Sequence, residues 1–461
     1  MNEVFCKNTF KFGDLNVFYQ KISAFKINAP ALSRDKKECA MIIHKFGGAA
    51  VKDAEGVINL SEILKGRSER KIVVISAFGK TTNNLEELTN FSFNNEKENF
   101  QEKLETIRDY HLDIITELFP PDHSIYTEIK ELFSQLESLF NLDHNGYDHL
   151  YDQIVSFGEL LSTKIVHAFL KMQSLYFDWM DIRRYLITDK TYREANINWS
   201  DSEKYVKKYF DLDKKDMITQ GFIGGDLNGN STTLGREGSD YTAAVLGYFL
   251  NADQVIIWKD VPGVLNADPR FFQNTRKLDK VSYQEAIELA YYGAKIIHPK
   301  TIKPLKNKNI PLMVYSFVHP DCPGTVISEH STSDTSIPVF IVKEQQMLIS
   351  ISPRDFSFIF EEQLSNIYQK FAEHRVKVNL MQNSAITFTV SVDKDNPRVT
   401  TLIDDLKQDY RILYNEDLEL ITIRHYTEDS IREILKGRKV LVEQRSRHTA
   451  QFILETGNKL S

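Results

Sequence analysis

From Met41 onward, short apolar runs break into glycine-bearing loops and alternate with amphipathic stretches. Met41-Ile42-Ile43 leads into Lys45-Phe46-Gly47-Gly48, and Val73-Val74-Ile75 ends in Ser76-Ala77-Phe78-Gly79, so both read as buried strands running into loops. Between them Asp53 to Leu64 has the charges, the apolar spacing and the lack of proline of a helix. Strand, helix, strand is the grammar of a parallel sheet covered by helices. From about Glu96 to Leu175 the pattern turns helical throughout, with Ile125, Ile129, Leu132, Leu136 and Leu139 three or four apart. This reads as a helical insertion whose stripes face a core. Strands return at Met217–Ile223, Val255–Trp258 and Leu312–Tyr315, with helices at Asp240–Leu250 and Tyr283–Tyr292 between them.

The Ser/Thr/Asp stretch His330–Ser336 marks a domain boundary. Beyond it, strands are predicted at Met347–Ser352, Val376–Leu380 and Ile386–Val392, with helices at about Glu361–His374 and Val399–Asp409. A second pass follows: strand Leu418–Ile423, helix Asp429–Leu435, strands Lys439–Glu443 and Gln451–Leu454. Two small βαββ-type units account for this pattern, and such units often sense small molecules or dimerise.

A length of 461 residues favours two or three domains, and an apolar fraction of 42% is ample for packed cores. Lys+Arg 57 against Asp+Glu 64, a net charge of −7, provides no basic face for a nucleic acid. Cys6, Cys39 and Cys322 are odd in number, far apart and without C-x-x-C spacing, as expected of reduced thiols. No apolar run is long enough to span a bilayer, and the first 40 residues lack a secretory h-region, so a cytoplasmic protein without a membrane partner is expected. Those residues mix lysines with Glu3, Asp14, Asp35 and Glu38, which argues against a transit peptide. They read as a poorly ordered tail, as a start-site artefact with Met41 the natural beginning, or as a short accessory hairpin.

The chemistry-bearing residues cluster in loops that follow strands. Lys45-Phe46-Gly47-Gly48 could aim backbone N–H groups and one full charge at an anion. One such turn alone is more often an ordinary strand end. Gly221-Phe222-Ile223-Gly224-Gly225 and then Thr232-Thr233-Leu234-Gly235-Arg236-Glu237-Gly238-Ser239-Asp240 bring donors, hydroxyls, a guanidinium and an acid to a helix entrance. Helix capping by Ser239 or Asp240 explains part of this run, but not Arg236 or the glycine density. Lys259-Asp260-Val261-Pro262-Gly263 with Asp268-Pro269-Arg270 follows a further strand, and Lys295 and His298 end a helical pattern. His298 reads as a structural hydrogen-bonding residue and Lys295 as a phosphate ligand. No nucleophile triad, metal-spaced histidine pair or paired-carboxylate motif occurs, and phosphoryl transfer needs none, because positioning and charge neutralisation carry it. The P-loop and protein-kinase signatures are also missing.

In order and spacing these loops resemble the signatures of the aspartate kinase family, K-F-G-G-T-S-V, G-F-I-G, T-T-L-G-R-G-G-S-D-Y-T-A, D-V-x-G with D-P-R, and G-A-K-x-x-H-P, from Met41 to the end of the chain. The resemblance implies an amino-acid kinase fold of α/β class, a three-layer αβα sandwich with a mostly parallel sheet. Its expected limits are 41–332, with the helical insertion at 96–175, and two ferredoxin-like ACT modules follow over 333–461. The modules are expected to interleave, with Val339–Val342 completing the second. It implies transfer of phosphate from ATP, with Mg²⁺, to L-aspartate in the first step towards lysine, threonine and methionine. Carried over, Lys45, Phe46, Gly47 and Gly48 are nucleotide contacts that hold the transferring group, with Ser76 beside it. Thr82 contacts substrate, Glu159 binds its amino group, Arg236 grips a carboxylate, Ser239 assists and Asp240 orients Lys45. Lys259, Asp260, Arg270 and Lys295 correspond to nucleotide contacts. A homodimer through the ACT modules, with an amino-acid effector there, completes the implied picture.

Several residues depart from the family pattern. Ala49-Ala50 replaces Thr-Ser, Glu237 replaces a glycine and brings a negative charge to the anion site, Lys259 replaces a threonine, and Leu265 stands where some relatives have tyrosine. In Val378-Asn379-Leu380-Met381-Gln382-Asn383-Ser384-Ala385, Asn379 and Ala385 replace the two acids of lysine-inhibited relatives, so weak or absent lysine inhibition is expected. Two rivals stand beside the main reading: another acyl-phosphate-forming kinase of this fold, acting on glutamate, acetylglutamate or a nucleotide, and a catalytically weakened ACT-based sensor. An attached homoserine dehydrogenase is not expected.

Overall fold

The computed structural model describes residues 40–210, 215–294, 297–329, 337–355, 357–394 and 397–456. The readings of residues 1–39, Lys295 and the whole stretch His330–Ser336 lie outside these residues.

The first half runs β1 (Met41–Phe46), α1 (Ala54–Lys65), β2 (Arg70–Ile75), α2 (Thr81–Phe93), α3 (Lys97–Leu118), α4 (Ile125–Ser138), α5 (Tyr147–Val155), α6 (Phe157–Met172), β3 (Phe177–Met180) and α7 (Trp199–Tyr209). It continues with β4 (Asp216–Gln220), the hairpin β5 (Ile223–Gly225) and β6 (Ser231–Thr233), α8 (Gly238–Leu250), β7 (Gln254–Lys259), β8 (Lys280–Ser282), α9 (Tyr283–Tyr292), α10 (Pro299–Asn307), β9 (Leu312–Ser316) and β10 (Thr325–Ser328). Eight of these strands form one sheet in the order β3-β4-β2-β1-β7-β9-β10-β8. From β3 to β9 every pairing is parallel, and β10 runs antiparallel to β9. The central strands are buried almost end to end and do not alternate, as a sheet covered on both faces requires. One apolar core joins them to the helices through Ile43, Leu60, Val74, Leu161, Val245 and Ile257. The chain leaves β1 for β2 on one side and later returns to β7 on the other. The carboxyl end of β1 is therefore a topological switch point, where open α/β sheets leave a crevice for ligands.

Several expectations shift. Met217–Ile223 is not one strand: β4 ends at Gln220, because Gly221 and Phe222, the latter at φ +66°, turn the chain into the hairpin. Helices α2 and α7 lie outside the helical stretch read from periodicity. Within that stretch α6 packs directly on β2, β3 and β4, so it belongs to the sandwich layer.

The second half contains β11 (Val339–Pro353), α11 (Glu361–Glu373), β12 (Leu380–Asn383), β13 (Phe388–Asp393), α12 (Arg398–Asp409), β14 (Tyr410–Arg424), α13 (Glu428–Leu435), β15 (Val440–Arg445) and β16 (Thr449–Glu455). They form an antiparallel sheet in the order β12-β13-β11-β14-β16-β15. The two 15-residue strands, β11 and β14, run through both units, with register shifts around Gln346 where one unit gives way to the other. The early part of β11, including Val339–Val342, pairs with the late part of β14 and so completes the second unit, while its later part serves the first. The units interleave. Each has its own core, around Ile367, Phe371, Val390 and Leu402 in the first and Ile421, Ile431, Ile434 and Phe452 in the second. The predicted strand Val376–Leu380 is displaced: Val376 is buried in the first core from a loop, and pairing begins only at Leu380.

The sheet is fastened to α9. Arg424, at the end of β14, grips Glu285 with Nε at 3.1 Å and Nη2 at 2.5 Å, His425 stands 3.0 Å from the same carboxylate, and Val339 and Ile341 pack on Leu289.

Candidate active site

The cleft floor is built where β1, β2, β4 and β7 end. Lys45, one residue from the end of β1, is buried and places Nζ 2.5 Å from Asp240 Oδ1. Asp240 lies in the first turn of α8, where the helix N-terminus favours a negative charge. Burial works to raise its pKa, but Lys45 and then Lys259, at 3.8 Å, pull it below the usual aspartate value. Close packing fixes two of the glycines. A Cβ on Gly48 would stand 2.6 Å from the Ala77 carbonyl oxygen, and one on Gly221 would stand 2.5 Å from the Ser239 side chain. The glycine loops therefore pack directly on each other and on the start of α8, leaving no room for side chains at these points.

Glu159, in the first turn of α6, is wholly buried. Its Oε1 accepts the Ala77 N–H at 3.2 Å, and its Oε2 has no partner among the described residues. Burial pushes its pKa up to about 8, against the pull of the Ala77 N–H and of Lys45. A buried carboxyl oxygen left free towards a cleft is costly unless a ligand completes it.

One cleft wall is the loop 190–194. Asp152 of α5 accepts the Arg193 N–H with both oxygens at 3.1 Å, the Thr233 N–H at 2.8 Å and the Thr233 hydroxyl at 2.7 Å. Burial pushes Asp152 up to about 7 despite these bonds. Arg193, held at φ +68°, bonds Glu86 at 2.8 Å and lies over the Tyr151 ring, so the wall is locked to its own helices. Arg236, exposed at the mouth, makes no ion pair or hydrogen bond among the described residues. Next to it Glu237, at φ +54° and also in the cleft lining, accepts the His298 N–H at 2.7 Å. His298 itself caps α10 through Nδ1, the structural role read from sequence.

Lys45, Gly47, Gly48, Ser76, Thr82, Glu159, Arg236, Ser239, Asp240, Lys259 and Asp260 all line this one cleft of about 1390 Å³. Two expected nucleotide contacts do not. Phe46 is fully buried, stacked on Trp258 at 5.8 Å and edge-on to Phe317, because its position on β1 points its ring into the core. Arg270 is bound by Asp268 at 2.6 Å and lies outside the lining. Sequence reasoning missed Asp148, Lys190, Tyr192 and Arg193, which carry no motif, and Arg375 and Arg398, which come from the second half of the chain.

The amino acid kinase family matches residues 40–316. Aspartokinase 1, chloroplastic, of Arabidopsis thaliana is 30% identical over 87% of this chain and 69% of its own length. Lysine-sensitive aspartokinase 3 of Escherichia coli is 29% identical over 83% of this chain and 86% of its own. The chain spans 33% of the length of the bifunctional aspartokinase/homoserine dehydrogenase 2, chloroplastic, of Arabidopsis thaliana, at 33% identity over 63% of this chain. The crystal structure of E. coli aspartokinase III in complex with aspartate and ADP (R-state) matches with a TM-score of 0.76 and 26% identity, covering 90% of this chain and 96% of that one. With the family spanning more than half of the chain and the relatives aligned across both halves, the chain belongs to the amino acid kinase family, on its aspartokinase branch.

Proposed function

We propose that this chain transfers the γ-phosphoryl group of ATP to the side-chain carboxylate of L-aspartate, giving ADP and 4-phospho-L-aspartate, the first step of the pathway to lysine, threonine and methionine. The observation that carries this reading is the meeting, in one cleft, of the buried Lys45–Asp240 pair with Glu159 and Arg236: among the described residues Glu159 has an unpartnered oxygen that suits an ammonium group, and Arg236 an unpaired fork that suits a carboxylate. The aspartate ammonium goes to Glu159 and the α-carboxylate to Arg236, with Ser239 and Thr82 beside them. The side-chain carboxylate is then left facing Lys45. Ser76, Gly47, Gly48, Lys259 and Asp260 hold the nucleotide, and Lys295 completes that set.

A carboxylate oxygen attacks the γ-phosphorus as the bond to the β-phosphate oxygen breaks and ADP leaves with the electron pair. The acceptor is already ionised, so no general base is needed. Lys45 neutralises charge gathering on the transferred group, and Asp240 keeps its ammonium in place. Mg²⁺ accompanying ATP supplies further neutralisation across the phosphates and fits as a metal carried by the nucleotide. Among the described residues no group of three acids, histidines or cysteines could hold it alone.

The rival reading, a weakened sensor, drew on Glu237 and on Ala49-Ala50. The His298 N–H offered to the Glu237 carboxylate eases the first motive without cancelling that charge. Dimerisation through the second half belongs to the same proposal, supported by the exposed Phe358, Phe360, Met381 and Ile386 around the edge strand β12. Release of ADP by the purified chain with Mg·ATP and a panel of aspartate, glutamate and acetylglutamate tests the reading. Turnover with aspartate alone is expected. Turnover only with another acceptor, or with none, would overturn it.

A further inference from the structure

We propose that Arg375, carried by the first unit of the antiparallel sheet, is a substrate-binding residue of the kinase cleft that grips the α-carboxylate of the acceptor together with Arg236. This rests on the aspartate kinase reading above.

Arg375 follows His374, the C-cap of α11, and takes the left-handed conformation at φ +51°, its N–H bonded to the Ala372 carbonyl. That backbone disfavours any residue but glycine by roughly 1–2 kcal/mol, so an arginine here is held against a local preference. It comes from the second half of the chain yet lines the same cleft as Arg236. Neither guanidinium has an ion-pair or hydrogen-bond partner among the described residues, whereas Lys45 and Arg193 in the same cleft are paired with acids. Glu237, the acid next to Arg236, makes no ion pair with it and accepts the His298 N–H.

The segment carrying Arg375 approaches the Arg236 side of the cleft. Burial lowers the pKa of Lys343 against the pull of Asp393, and Lys377 and Arg236 both add to the lowering. His298, lowered first by burial, also feels both of these cations. The region thus brings the cations Arg236 and Lys377 together, with Asp393 and Glu237 as its acids, while Lys259 and Asp260, the expected nucleotide contacts, lie at the end of β7. A carboxylate has about four lone-pair sites and can take a guanidinium fork from each side. With Arg375 in place, the position of the C-terminal sheet enters acceptor binding directly. The plainer alternative is a surface arginine answering the dipole of α11, which has no effect on substrate.

The test uses the full chain. Arg375→Gln should raise the KM for aspartate roughly tenfold, as expected for loss of a charge-assisted hydrogen bond, with kcat and the KM for ATP little changed. Arg375→Lys, which keeps the charge without the fork, should fall between the two. An aspartate KM equal to that of the unaltered chain, or an increase confined to ATP, overturns the proposal. If the unaltered chain itself turns over no aspartate, the activity reading fails as well. If it does and Arg375→Gln matches it, only this inference fails.

Discussion

Two buried ion pairs of similar chemistry do different work in this molecule. At the cleft floor Lys45 and Asp240 lie 2.5 Å apart with Lys259 nearby, beside a carboxyl oxygen of Glu159 that has no partner among the described residues. At the seam between α9 and β14, Arg424 and Glu285 also approach to 2.5 Å, with a further bond from Arg424 to the Thr449 hydroxyl and with His425 and Glu288 beside them. Burial and pairing alone therefore do not mark a site. What separates the two is what they face: the floor pair lines a cleft large enough for a ligand, and the seam pair is packed between α9 and β14, away from that cleft.

The largest effect should follow from Lys45→Ala, with turnover falling by about 10²–10³ or more, as for loss of a preorganised charge at the transferring group. Its stability should change less, since the N-terminus of α8 and Lys259 still offset the Asp240 charge. Steady-state rates and thermal unfolding on the same preparation check both halves of this statement. Glu285→Ala should show the reverse, leaving Arg424 buried without its partner at a cost of about 3–5 kcal/mol. Denaturant unfolding measures this, and a stability equal to the unaltered chain would erase the distinction between the two pairs.

Glu159 sharpens the comparison through pH. Its pKa rises from 4.5 to about 8 on folding, so between those values the folded chain holds a proton that the unfolded chain has released. Its contribution to stability therefore falls as pH rises through that window, and Glu159→Gln should flatten that slope. Binding an ammonium group requires the carboxylate, so aspartate affinity should climb by up to about tenfold per pH unit below pH 8 and level off above it. A pH-independent aspartate KM between pH 6 and 8 contradicts this assignment.

Asp152→Asn replaces an acceptor of three donors by a group that itself carries N–H, which should loosen the loop 190–194. A several-fold loss in kcat/KM for aspartate is expected, with the fold retained by circular dichroism. The smallest effect concerns lysine. Asn379 already bonds Lys343 at 2.8 Å, Gln346 at 2.9 Å and Asp393 at 2.8 Å. Added lysine should leave the rate unchanged, and strong inhibition at submillimolar lysine would refute this.

The cleft floor was legible in the sequence because each part is local: a strand end, a glycine loop and a charged residue within a few positions, as at Lys45-Phe46-Gly47-Gly48. The same locality misled at Phe46 and Arg270, which belong to a motif but face the core and Asp268. Asp152 and Arg193 left no trace, since their function comes from contacts 41 residues apart in sequence. In the second half, β11 and β14 read as separate pieces because Lys343-Glu344-Gln345 and Asn415-Glu416-Asp417 interrupt the apolar alternation where the register slips. Val376 misplaced a strand because it is buried without being paired. Arg375 could not be found from sequence at all, because it depends on how the two halves pack.

The central claim is tested most directly by incubating the purified chain with Mg·ATP, L-aspartate and hydroxylamine and identifying the trapped product by mass spectrometry. The β-hydroxamate of aspartate is expected, formed in step with ADP and lost in Lys45→Ala. ADP without hydroxamate, or a hydroxamate that persists in Lys45→Ala, would contradict it.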